Sequence, residues 1–363
     1  MLEFDDFGLS PSVIGNDSVI KEDDILLVTG ANGFVGSRVV ATLLACGFKR
    51  IRCLVRPTGK SGFLESIVDK SKRSALEMVN GNLLSRENCS IAARGVSVVY
   101  HLAAGTDKTF AGCFMNSAVT TRNLLDAVTG ESSLRRFVNI SSIAVYSNEK
   151  MRRGDLLDET CEVETDLVER YDPYVYGKSK QDGLVLEYAR TKGLPYVIMR
   201  PGVVFGPGKA QLTGRVGVNT FGVFLHIGFD NAIPLTYVDN CAEAIVLAGL
   251  RKGIEGEVIN IVDDDLPKSR ELLSLYRKEV RNFPVLPAPY PVFYLLCMLW
   301  EKYSKWSEEQ LPPVFNRKYC EAYWKGNTYS NAKAKKLLGW RPRIPMDVGM
   351  DRYFAYIRKA GSL

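Results

Sequence analysis

The 363-residue chain is 46% hydrophobic and 24% charged with a formal charge of +6, the balance of an ordinary globular protein and not of a disordered or fibrous one. Its longest apolar run, 292–300, falls well short of the roughly 20 residues that span a bilayer, so no transmembrane segment is expected; the acidic opening MLEFDDFGLS lacks the basic and apolar regions of a secretory signal, which makes a reducing cytoplasmic setting the expectation. Eight scattered cysteines and two isolated histidines, His101 and His226, supply no close metal-ligand pair, redox dithiol or serine-protease triad, so no metal site is expected and the cysteines read as small core residues.

Residues 1–24, with seven acids against Lys21, read as a polar N-terminal extension. The apolar run 25–29 then stops at Gly30, as a buried parallel strand does, and apolar residues recur at helical spacing from Phe34 to Gly47. Further strands are expected at 51–55, 96–100, 137–140 and 196–199, with helices near 114–129 and 174–192. Strands alternating with helices predict an α/β fold, a Rossmann-like, doubly wound parallel sheet. Beyond Arg200 the texture becomes irregular and glycine-rich; 238–250 reads as a helix returning to the sheet and 257–261 as one more strand. From about 263 the pattern is helical, interrupted by Pro284, Pro287, Pro289 and Pro291. The division that follows is a dinucleotide-binding domain of 25–202 plus 236–262, a smaller, discontinuous substrate-binding domain of 203–235 plus 263–345, and a C-terminal helix at 346–363. Run 292–300 reads as a buried core helix, with a pocket wall or a membrane-surface helix as alternatives.

The stretch Thr29-Gly30-Ala31-Asn32-Gly33-Phe34-Val35-Gly36 lies between strand and helix. Gly30 suits the tight turn, Gly33 a close backbone approach to pyrophosphate and Gly36 the packing of helix on strand, while the helix N-terminus offers free amides to phosphate. An NAD-binding protein usually places an acid at the end of the second strand to hold the ribose. This chain has Arg56 there, and Arg52 within the strand, which suits a 2′-phosphate and favours NADP(H), with NAD(H) the alternative; a solvated surface arginine is the bland reading.

Tyr176 and Lys180 stand one helical turn apart, and an ammonium beside a phenol lowers a pKa that is ordinarily about 10, bringing acid/base chemistry within reach. Tyr174 and Lys178 form a second, overlapping pair that must face elsewhere, because two residues turn a helix by about 200°. Spacing alone does not choose between the pairs.

TGANGFVG at 29–36, HLAAG at 101–105, NISSIAVYS at 139–147, YGKSK at 176–180 and RPGVVFGPG at 200–208 occur in this order, and the chain over 25–262 resembles the extended short-chain dehydrogenase/reductase superfamily of NAD-dependent epimerase/dehydratase type. The resemblance implies that Tyr176 and Lys180 are the catalytic pair, that Ser142 bonds the substrate oxygen, and that Gly30, Asn32, Gly33, Phe34, Val35, Gly36, Arg56, Asn82, Leu83, Leu102, Ala103, Ala104, Tyr176, Lys180, Pro201 and Val203 bind the cofactor. It also implies a homodimer through helices flanking the sheet. Three departures stand out. Asn82 replaces the acid of the usual Gly-Asp-Leu; the helical asparagine of the family falls on Asn116 or, by the register of Arg122-Asn123-Leu124-Leu125, on Ser117; and Ile143-Ala144 follow Ser142 where dehydratases carry an acidic pair, which disfavours dehydration.

The implied activity is interconversion of a secondary alcohol and a ketone by an NAD(P)-dependent oxidoreductase, on the pattern of the 3β-hydroxysteroid dehydrogenase and dihydroflavonol reductase branch. A nucleotide-sugar 4-epimerase with tightly held NAD is the alternative, supported by the eighteen Lys/Arg against eight Asp/Glu in 268–363; a dinucleotide-binding protein without catalysis is the third reading. The partner in either enzyme reading is a small molecule, an apolar hydroxy or keto compound or a nucleotide sugar. No nucleic-acid motif accompanies the basic charge.

Overall fold

The computed structural model describes residues 17–57, 64, 67–68, 70–220, 222–308 and 310–361. Most of the acidic N-terminal extension and the last two residues lie outside that range.

Seven parallel strands form the central sheet in the order β12-β7-β5-β4-β1-β2-β3: β1 (Ile25–Thr29), β2 (Ile51–Val55), β3 (Leu76–Asn80), β4 (Val96–His101), β5 (Arg136–Ile140), β7 (Tyr196–Pro201) and β12 (Val258–Ile261). Strands β2, β4 and β5 are buried along their whole length, as strands covered on both faces must be, and are mostly apolar, with Arg52, Ser97 and Arg136 among the buried exceptions. One face is covered by α1 (Phe34–Ala45) and a helix at Val238–Leu250, whose Val40, Leu43, Ala242 and Ile245 share a core with Leu26, Val28 and Val98. The other is covered by α2 (Arg86–Ala93), by a helical stretch that runs Phe110–Cys113, widens into a π turn at Phe114–Val119 and continues as Thr120–Val128, and by the long helix Pro173–Lys192. Strand order reverses between β1 and β4, and ligands of such sheets bind at the carboxyl ends of the strands flanking that reversal.

Four further strands, β8 (Val203–Phe205), β9 (Gly217–Thr220), β10 (Val223–His226) and β11 (Leu235–Tyr237), lie in the segment that has no legible period in the sequence, and β13 (Val285–Pro287) interrupts the stretch expected to be helical. They escape sequence reading because each is only three or four residues long and most pairings are to distant chain, β8 with β11 and β10 with β13, while β9 and β10 form a local hairpin; β6 (Leu156–Leu157) likewise pairs with the distant β14 (Thr328–Tyr329). β3 was also not anticipated; it is the edge strand, with Met78 exposed.

Two expectations change. Residues 17–24 are not a loose leader: Ile20 is buried in the main core, the Val19 amide donates to the Leu250 carbonyl and Asp17 pairs with Arg251 at 2.9 Å. The run 292–300 forms part of a helix, Tyr290–Trp306, that buries Phe293, Cys297 and Ser304 but leaves Val292, Leu295, Leu296 and Leu299 about half exposed, so it is not a core helix. The C-terminal helix Met346–Gly361 packs Met350, Tyr353 and Phe354 against Phe205, Tyr237 and Leu272.

Candidate active site

The turn after β1 is built for close backbone approach. Gly30 has φ of 71°, and a Cβ there would lie 3.1 Å from the Ala103 amide nitrogen; a Cβ on Gly36 would lie 2.1 Å from the Gly30 carbonyl oxygen. Helix α1 then starts at Gly33 without a side-chain cap, so its first amides are free for an anion. The Oδ1 of Asn32 is buried with no hydrogen-bond partner among the described residues. Gly30, Asn32, Gly33, Arg56, Asn82, Leu83, Leu102, Ala103 and Ala104 line one cavity of about 360 Å³ at the carboxyl ends of β1, β2 and β4. Phe34, Val35 and Val203 line a second, of about 440 Å³, beside Ser142. Gly36 and Pro201 line neither; Gly36 sits beneath the turn and Pro201 is buried at the end of β7.

Arg52 does not share the role expected for Arg56. It is buried, with Nε 2.9 Å from Glu77 and Nη1 donating to the carbonyls of Ala92 and Arg94. Arg56 is exposed at the cavity wall. The structure also separates the two candidates for the helical asparagine position: Asn116, in the π turn, lines the dinucleotide cavity, whereas Ser117 is buried and accepts from the Gly105 amide at 2.9 Å. His101 is buried between Thr29 and Thr121, each 2.8 Å away, and burial lowers its pKa to about 3, so it stays a neutral structural group.

The long helix beside this crevice begins with Asp172, whose carboxylate accepts from the Val175 amide, has Pro173 in its first turn and ends at Gly193 in a left-handed conformation. These caps set where the helix starts and stops, and only some of its residues face the sheet. Lys178, Gln181, Asp182 and Val185 do; Lys180, Gly183 and Glu187 face away and are exposed. Asp182 anchors the helix by accepting from Asn139 and Ser141, each at 2.8 Å, and from Arg200 at 3.2 Å, so a buried ion pair ties the helix to the ends of β5 and β7.

The position of the phenols follows from that face. Tyr174 lines the larger cavity with Ser142. Burial pushes its pKa up to about 12, with the Ser142 hydroxyl opposing the shift. One turn on, the Lys178 ammonium is buried, donating to the Ile140 carbonyl and to Gln181; burial lowers its pKa to about 8, against the pull of Asp182. Tyr176 instead stacks edge-on to Phe110, with ring centroids 5.3 Å apart, and the exposed Lys180 sits 5.5 Å from the centre of its ring. Neither Tyr176 nor Lys180 lines either cavity. Ser142 therefore shares its cavity with Tyr174, one turn from the buried Lys178, and not with Tyr176 and Lys180, which the helix turns away from the strand ends. A signal for this orientation lies two turns further on: seven residues past Lys178 is Val185, an apolar residue suited to the sheet-facing side, whereas seven past Lys180 is Glu187.

Ser142 itself starts a short 3-10 turn, Ile143–Val145, immediately after β5, and its hydroxyl accepts from the Ala144 amide at 3.2 Å. A phenol and a hydroxyl thus converge on one cavity beside a cradle for a dinucleotide. The sequence model of the NAD dependent epimerase/dehydratase family matches residues 26–261, which carry this whole arrangement. The chain belongs to that family. Among its relatives, cinnamoyl-CoA reductase 1 of Petunia hybrida is 30% identical over 187 residues, covering 50% of this chain and 55% of that protein, so the chain spans little more than half of its length in the match. Solved structures with the same fold include gox2253, with a TM-score of 0.73 at 24% identity over 94% of this chain and all of that one, and UDP-glucuronic acid 4-epimerase from Bacillus cereus, with a TM-score of 0.68 at 22% identity over 92% and 99%. The latter was solved in complex with NAD and a fluorinated UDP-glucuronic acid.

The cradle formed by Gly30, Gly33 and Gly36, together with the orphaned Oδ1 of Asn32 and the uncapped start of α1, fits a dinucleotide in this family member. No helix among the described residues is long and apolar enough to cross a membrane.

Proposed function

We propose that the protein is an NAD(P)-dependent dehydrogenase/reductase that interconverts a secondary alcohol and a ketone on a largely apolar small molecule, with Tyr174, Ser142 and Lys178 as its acid/base group. The observation that carries this reading is the placement of Tyr174 and Ser142 together in one cavity, whose wall includes Ile143, Val204, Leu212 and Met350 alongside Lys209, Gln211 and Thr213. Gly30, Asn32, Gly33, Phe34 and Val35 would hold the dinucleotide, with Asn82, Leu83, Leu102, Ala103, Ala104 and Val203 along its length; when bound, it supplies the hydride-transfer chemistry. In the reducing direction Tyr174, protonated at neutral pH, gives its proton to the substrate oxygen while Ser142 donates a hydrogen bond to the same atom. The ammonium of Lys178, one turn along the helix, stabilises the phenolate that remains.

Arg56 at the cavity wall favours NADP(H) over NAD(H), since a guanidinium pairs with a 2′-phosphate and no acid stands in its place. The 4-epimerase reading is supported by the fold likeness to a sugar-nucleotide enzyme, but the cavity offers little for a diphosphate. Arg215 is buried and committed to the Ala322 carbonyl, the Tyr329 hydroxyl and the face of Tyr323, which leaves Lys209 as the other cation on the wall. A binding protein without catalysis would have no need of a phenol, a hydroxyl and an ammonium so arranged. Exposed Phe114, Met115 and Leu186, on the helices flanking the sheet, support a homodimer through that face.

The test is a pair of substitutions. Tyr174→Phe is expected to lower kcat by about 10²–10⁴-fold, the usual contribution of a positioned acid, with dinucleotide affinity little changed, while Tyr176→Phe keeps most activity. NADPH consumption by hydroxy and keto compounds reads both. Full activity in Tyr174→Phe, or its loss only in Tyr176→Phe, would refute the assignment.

A further inference from the structure

Exposed apolar side chains scattered singly need no explanation, but six of them share one side of one helix. Val292, Leu295, Leu296, Leu299, Tyr303 and Trp306 follow the helical period along Tyr290–Trp306, and each is between 45% and 78% exposed. They therefore form one stripe. The opposite side of the helix is accounted for: Phe293 and Cys297 pack with Ile227, Cys320 and Trp324. Segment 311–314 extends the patch with exposed Leu311 and Val314, held against the helix where Ser304 donates to the Leu311 carbonyl and Trp300 to the Pro312 carbonyl.

We propose that this stripe is a membrane-surface docking site, seated in the headgroup region of an anionic lipid bilayer with the helix lying in the plane of the interface. Its chemistry is that of an interfacial helix. Leucines fill the middle, Tyr303 and Trp306 sit at the carboxyl end, where amphipathic rings suit the boundary between headgroups and acyl chains, and exposed Lys302 and Lys305 flank the stripe. Glu301 is engaged with Arg317 at 2.8 Å, and Glu308 is an exposed acid just past the helix end. The wider segment 268–363, with eighteen basic residues against eight acidic, is attracted to anionic lipid.

Charge argues for lipid over a second protein copy: a second copy would set Lys302 and Lys305 and the basic 268–363 segment against their own like, whereas reversible insertion needs only several apolar side chains backed by attraction to anionic headgroups.

Co-sedimentation of the full chain with vesicles of mixed phosphatidylcholine and phosphatidylglycerol tests this. The wild type is expected to pellet with the vesicles and to shift its tryptophan emission to the blue. Leu295→Glu combined with Leu299→Glu is expected to abolish both effects while dinucleotide binding persists, since the two side chains already face solvent. Should that variant fold poorly, Lys302→Glu with Lys305→Glu is expected to weaken vesicle binding severalfold. Absence of wild-type binding, or unchanged binding in both variants, would overturn the proposal. So would a dimer in lipid-free solution that the leucine variant dissociates, which would assign the stripe to a second copy.

Discussion

Two phenols two residues apart on one helix end in opposite environments, and the difference is a matter of rotation. Tyr174 meets Ser142 in a cavity while Tyr176 packs on Phe110, although both have a lysine one turn later. The buried Lys178 carries the more testable consequence. Burial lowers its pKa to about 8, so its charge is present below that pH and lost above it. If the ammonium stabilises the Tyr174 phenolate, kcat in the reducing direction is expected to fall as pH rises through about 8, roughly two units below where an ordinary lysine titrates. A pH–rate profile that stays level up to pH ~10 would separate Lys178 from the chemistry. Exposed Lys180 has no such burial, and Lys180→Met is expected to leave the profile unchanged.

At the scale of elements, the strand–turn–helix unit at 25–45 was legible because every local signal agrees: a buried apolar strand, glycines where the backbone has to pass close to itself, and an apolar helical period. Gly36 is the tightest point. A Cβ there would lie 2.1 Å from the Gly30 carbonyl oxygen, a contact with backbone that cannot swing aside. Gly36→Ala is expected to shift the turn and weaken dinucleotide binding by about tenfold or more, since misplacing a single hydrogen bond to a charged phosphate costs about 1.5–3 kcal/mol; fluorescence titration with NADPH measures it. The short strands β8 to β11 and β13 gave no comparable signal. Three or four residues are too few to establish alternation, and their partners lie as far as 61 positions away, as Phe224 and Val285 do. Edge strand β3 was hidden for another reason: with one side open to solvent it has no need of a continuous apolar run.

Over the whole molecule, residues 17–20 are tied to the side of the sheet covered by α1 and the helix Val238–Leu250. The acidity of 1–24 suggested a solvated extension, yet Ile20, only 4% exposed, packs into the core formed with α1 and the helix Val238–Leu250. Ile20→Ala is expected to destabilise the protein by about 2 kcal/mol, seen as a lower urea midpoint; a change within about 0.5 kcal/mol, typical of surface substitutions, would mean that the segment contributes little. Composition hid this contact because the apolar residues of 1–24 are interspersed with seven acids and follow no strand or helix period. The basic character of the last hundred residues was visible as a sum, but its placement beside an apolar stripe was not.

The sequence by itself determined the parallel α/β sheet, the dinucleotide cradle and the kind of chemistry, because each depends on residues close together in the chain: an apolar run, a glycine turn, a phenol and an ammonium one helical turn apart. Tertiary structure decided which phenol meets Ser142. That choice depends on how the helix is rotated about its axis, which is set by Asp182 gripping Asn139, Ser141 and Arg200 from strands 18 to 43 positions away. The same holds for the helix at Tyr290–Trp306. Its apolar residues were plain, but whether they are covered depends on what packs against them, and the fold covers one side only.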